Sequence, residues 1–194
     1  MRLPLISFAA VSLVSMVLAT AIGPAELIKI IYTSPQGLVL LGRLIMVYQV
    51  VYPATGNQLL SAYAAIVFNN ATGLMMVFAS PVLIHASHKM TGRWRMLGGN
   101  GGWKLFRTGL RFISSFYMAM LALPLAPAIA LRGFALFIPF EFMYVFIAAH
   151  ILYKASQLES GEFRTKYYEM LSKNAPIAAL LLLFAAVMEA VEAV

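Results

Sequence analysis

The chain has 194 residues, of which 62% are hydrophobic and only 11% charged, and its mean hydropathy is +0.85. A soluble domain carries about 25% charged residues, so this composition excludes one of any size and predicts a chain that turns much of its surface toward lipid. All seven acids are glutamates, set against 14 Lys and Arg for a net charge of +7, and in a membrane chain that excess reads as topology rather than as nucleic-acid binding. Cysteine is absent, which removes disulfides, thiolate metal sites and thiol nucleophiles.

The first apolar run extends from Leu3 to about Ile22 behind a lone Arg2. Ala19-Thr20-Ala21 at its end is a small-x-small pattern of the kind a signal peptidase cuts. At about 20 residues the run is longer than a signal core, so it reads as an uncleaved first span.

Residues 24–58 mix Glu26, Lys29 and Arg43 with apolar side chains, and they are punctuated at Ser34-Pro35-Gln36-Gly37 and Pro53-Ala54-Thr55-Gly56-Asn57. The longest apolar segment, Leu38 to Tyr52, has 15 residues with Arg43 inside it. That length predicts re-entrant or interfacial helices on the outer side.

Spans follow at about 60–84, 110–130, 133–153 and 176–194. Between the first two lies Lys89 to Arg107, with Lys89, Arg93, Arg95, Lys104 and Arg107 and no acid. The positive-inside rule puts this loop in the cytoplasm of a cell-membrane protein. The same five side chains are candidates for binding anionic lipid or a partner at about 1 kcal/mol per basic residue. Five spans return the loop from Lys154 to Lys173 to that side and leave the C-terminus outside. The predicted fold class is an all-α integral membrane bundle of about five transmembrane helices in a single domain, with re-entrant or interfacial helices after the first span.

An ionisable side chain at the centre of a span costs about 2.5–3.5 kcal/mol, which makes each one a functional candidate. Glu141 falls about 12 Å below the outer surface if its span starts at Gly133, Glu189 about 10 Å, and Asn69 and Asn70 about 14 Å, at 1.5 Å per residue. These four form a predicted intramembrane polar layer. Its plainer role is to hold helices together, at about 0.6 and at most 1.7 kcal/mol per hydrogen bond; its sharper role is transport or gating.

His85, His88 and His150 lie near the inner ends of their spans and are weak candidates for a metal or haem, with no acid or cysteine close by in sequence. No cofactor is expected. Trp94, Trp103, Tyr153, Tyr167 and Tyr168 read as interfacial anchors. The chain has no phosphate-cradling glycine loop, no His-Glu-x-x-His and no aspartate for a serine triad, so no enzyme chemistry is predicted.

Three features in order carry a resemblance: Asn69-Asn70 early in an apolar span, Ile138-Pro139-Phe140-Glu141, and the terminal Ala185-Ala186-Val187-Met188-Glu189-Ala190. Together they are similar to the stage II sporulation protein M family of bacterial and archaeal membrane proteins, over about residues 60–194. The chain departs from the family's Pro-His-Gly-x-x-Glu motif, because Pro139 stands closer to Glu141 and the His-Gly is absent. The resemblance implies a bundle of spans with polar positions at Asn69, Asn70, Glu141 and Glu189, and a scaffold-like role among other membrane proteins, by self-association or with partners, without a reaction of its own. A small transporter using the polar layer and a structural subunit of a respiratory-type complex are the alternatives.

Overall fold

The computed structural model describes residues 2–91, 100–132 and 136–193, and in these the chain is all α-helical. Among the described residues seven helices follow one another: α1 (Arg2–Ile22), α2 (Pro24–Thr33), α3 (Pro35–Thr55), α4 (Gln58–Thr91), α5 (Asn100–Arg132), α6 (Ile138–Ala155) and α7 (Phe163–Ala193). Five described stretches are long and apolar enough to cross a membrane: Leu3–Ile22, Gly37–Thr55, Gln58–Ala86, Ile138–Ala155 and Phe163–Glu192. The predicted 110–130 span lies within α5.

Gly37–Thr55 revises the length argument made from the sequence. Leu38 to Tyr52 is not a 15-residue fragment but the middle of a continuous helix of 21 residues, about 30 Å long at 1.5 Å per residue. Capping extends it beyond its apolar run. Ser34 Oγ accepts from Gly37 N at 3.1 Å, Pro35 sits in the first turn, and Gly56 closes the far end in the left-handed region with its N–H on Tyr52 O. Gly37 is required for a second reason: a Cβ there would fall 2.3 Å from Ile31 O, against the last turn of α2.

Proline shapes the long helices, and hydroxyl groups mend the ladders it breaks. Pro81 has no N–H to give to Val77 O, and Ser80 Oγ donates to that carbonyl at 3.0 Å. Close by, Tyr167 Oη of α7 donates to Phe78 O at 2.7 Å and ties the two helices together. Ser114 Oγ, fully buried, donates across from α5 to Ala149 O of α6 at 2.7 Å.

α4, α5, α6 and α7 enclose the main core. It is built on Leu110, Met118, Leu152, Phe163 and Tyr167, with Ala148, Ala149, Ala155 and Ala178 fully buried among them. Small residues at these positions let helix backbones approach closely, which is the main source of packing energy where lipid is as apolar as the core. α1 lies along α5, and α3 packs substantially only on α4 and α2. Large apolar side chains cover the perimeter, including Leu13, Val50, Met75, Leu83, Phe112 and Leu180. The rim is thus as apolar as the core, which is what a lipid-facing bundle requires.

Candidate functional site: a carboxylate and tyrosine cluster

The α6 helix begins at Ile138 because Pro139 occupies its first turn, where a missing N–H costs nothing. Glu141 therefore stands in the first turn of α6, about 5 Å along its axis, rather than the 12 Å that a span starting at Gly133 gives. Residues 133–135 lie outside the described residues. In this position the carboxylate faces the positive end of the helix dipole.

Four groups from three helices gather here. Tyr144 Oη, one turn along α6, donates to Glu141 Oε1 at 3.4 Å. Tyr117 of α5 and Glu189 of α7 lie within electrostatic reach of Glu141, and Tyr144 is within reach of both. Glu141 and Glu189 are half-buried and Tyr144 is buried. The end of α7 is clamped to the start of α6 by Leu136 N, which donates to Glu192 Oε1 at 2.9 Å, and by Phe140 stacked on Phe184 at 6.1 Å.

Asn69 and Asn70, both half-buried on α4, bond to each other, Nδ2 to Oδ1 at 3.2 Å. Among the described residues neither amide bonds to a glutamate. They adjoin the cluster through packing: Ile66, one turn earlier, lies against Ala186 and Ala190, the neighbours of Glu189. The arrangement is thus two sub-sites, a carboxylate and tyrosine cluster between α5, α6 and α7 and an amide pair beside it on α4. Chemically the first can share or exchange a proton between oxygens, and the second can offer amide donors and acceptors to a neighbouring helix.

The other predicted residues separate. His85 packs within an aromatic cluster at the other end of the bundle, 4.9 Å from Phe163 and 6.0 Å from Trp103 between ring centroids. His150 stacks on Phe146 of its own helix. Among the described residues no three His or acidic side chains come together to hold a metal. The side chains of His88 and Lys89 lie outside the described ones, as do Arg93 and Arg95 altogether. Lys104 is exposed, and Arg107 Nε donates to Ser156 O at 2.5 Å.

Sequence reasoning passed over Tyr117, Tyr144, Arg111 and Ser156. Tyr144 was detectable, since i and i+3 share a helix face with Glu141. Tyr117 and Ser156 meet their partners only through tertiary packing. Comparison with known proteins finds no family model that matches the chain, and no matching curated protein or solved structure.

Proposed function

We propose that the chain is a multi-pass membrane scaffold or assembly subunit of the cell membrane, the role that the resemblance to the stage II sporulation protein M family implies. The observation that supports it is α3. This helix is long and apolar enough to cross a membrane, yet it leaves Leu38, Val39, Ile45, Met46 and Val50 exposed. Arg43 sits half-buried among them, and among the described residues it has no ion pair or hydrogen bond. A guanidinium in such a helix calls for an acid. The partner that fits is a transmembrane helix of another protein with a carboxylate at the level of Arg43. The basic stretch 89–107, whose described residues belong to the end of α4 and the start of α5 rather than to a loop, lies on the cytoplasmic side in this reading.

A photo-crosslinking residue at Val50 is the direct test. Capture of a membrane protein from Val50, abolished by Arg43→Leu and not seen from Leu180 on α7, supports a scaffold; equal capture from both positions overturns it.

The carboxylate pair favours a second reading, a small transporter. Glu141 and Glu189 lie within reach of each other inside helices of span length. Proton or cation flux into liposomes containing the purified chain, lost in Glu141→Gln, would support that reading; absence of flux removes it.

A further inference from the structure

We propose that Arg107 and Arg111 form a site for the phosphate of an anionic phospholipid headgroup. α6 ends at Ala155 with Ser156 as its C-cap, and Ser156 is fully buried. Arg107 Nε donates to Ser156 O at 2.5 Å, and Arg111 Nε donates to Ser156 Oγ at 3.3 Å. The serine hydroxyl donates in turn to Tyr153 O at 2.7 Å, which fixes its position. One buried residue therefore holds two guanidinium groups, one turn apart on α5, against the same helix end.

The negative end of the α6 dipole accounts for one arginine there, but its half charge does not balance two cations. A guanidinium has five N–H donors, and with Nε engaged each retains four on its Nη atoms. Among the described residues no acceptor takes them. Two of the three acids of this end are committed elsewhere, Glu162 to Lys166 and Glu169 to Lys173, each at 2.7 Å, and among the described residues the third, Glu159, pairs with neither arginine. From Lys89 to Lys173 the sequence carries eleven basic residues and, Glu141 apart, only Glu159, Glu162 and Glu169.

Two cations fixed side by side repel. A phosphate bridging them removes the repulsion and receives the paired N–H donors for which the guanidinium fork is shaped. The setting selects a lipid over free phosphate. Phe112 and Phe116, next along α5, are exposed and stacked at 6.1 Å, an apolar wall beside Arg111 along which an acyl chain can lie. Leu105 is exposed on the other side of the pair.

The full-length chain in nanodiscs of phosphatidylcholine, titrated with phosphatidylglycerol, tests the site by native mass spectrometry and thermal unfolding. The wild type is expected to retain phosphatidylglycerol and to gain thermal stability as its fraction rises. Arg107→Gln with Arg111→Gln is expected to weaken retention about 30-fold, the loss of two basic contacts near a membrane surface. Lys166→Gln with Lys173→Gln, which removes as much charge from the same end, is expected to leave retention unchanged. If the double arginine variant does not fold, Arg111→Gln alone keeps the Arg107 cap on α6 and still lowers retention. Equal retention by Arg111→Gln and wild type overturns the site. So does a loss caused equally by the lysine variant, which makes binding a matter of bulk charge. Stabilisation by inorganic phosphate equal to that by phosphatidylglycerol overturns the lipid assignment.

Discussion

Ser15 of α1 donates its hydroxyl proton to Leu123 O of α5 at 2.7 Å, and Leu123 O is the carbonyl that Pro127 leaves without an N–H. The bond joins helices 108 residues apart in sequence. Its logic is general for membrane interiors, where a backbone acceptor freed by proline finds no water and must be satisfied by protein.

Ser15→Ala should therefore destabilise the bundle by about 0.6–1.7 kcal/mol, the range for polar contacts between membrane helices. Pro127→Ala restores the N–H, so in that background the serine should matter less. Reversible unfolding in mixed micelles of the two single variants and the double variant measures the coupling; additive effects would refute the assignment.

Gly37→Ala tests the α2–α3 junction. With a Cβ forced to within 2.3 Å of Ile31 O and 2.6 Å of Tyr32 Cα, backbone must move on one side or the other. A loss of about 1–3 kcal/mol is expected from overpacking. Gly42→Ala, with open space around its Cβ, is the control and should be neutral or slightly stabilising.

Glu141→Gln distinguishes structural from proton-linked roles. An amide can still accept from Tyr144 Oη, so folding and thermal stability should stay within about 1 kcal/mol of wild type if the carboxyl acts as a hydrogen-bond acceptor. Glu141→Leu leaves Tyr144 unpaired beside the core and should cost more, about 1–3 kcal/mol. Similar losses in both variants would show that the charge itself is needed. Glu189→Gln reports on the same pair from α7.

Sidedness is open to a direct check, because the chain has no native thiol. Asn57 precedes α4 and Asn100, at the start of α5, lies within the basic stretch 89–107, and α4 between them runs 34 residues, about 51 Å. A cysteine at Asn57 should react with an impermeant reagent on intact cells, whereas one at Asn100 should react only after lysis. Labelling of both from outside would invert the topology.

What the sequence reveals here follows from which signals are local. The spans at 60–84 and 176–194 coincide with apolar runs inside α4 and α7, since hydropathy needs only composition. α3 was undersized because Arg43 and Pro53 interrupt the apolar pattern without ending the helix; Ser34, Pro35 and Gly56 set its true ends. The position of Glu141 along its helix follows from the start of α6 at Ile138, which Pro139 in the first turn sets and which the apolar pattern does not mark. At the site, the glutamates were visible as ionisable groups in lipid, and depth along each helix could be counted. Rotation about the helix axis could not, and it decides that Tyr117 joins Glu141 while Asn69 turns to Asn70.

The distance in sequence between Ser15 and Leu123 also bears on how the molecule is made. α3 and α4 adjoin in the chain and can pair as soon as both have emerged, but α1 packs along α5. At about 5–20 residues per second of synthesis, α1 waits about 5–20 s for the helix that covers its serine. During that interval Ser15 faces lipid with no acceptor outside its own helix, so insertion passes through a stage in which α1 depends on the insertion machinery or on neighbouring proteins to shield it. Variants that slow emergence of α5 should therefore be degraded more than their final stability predicts.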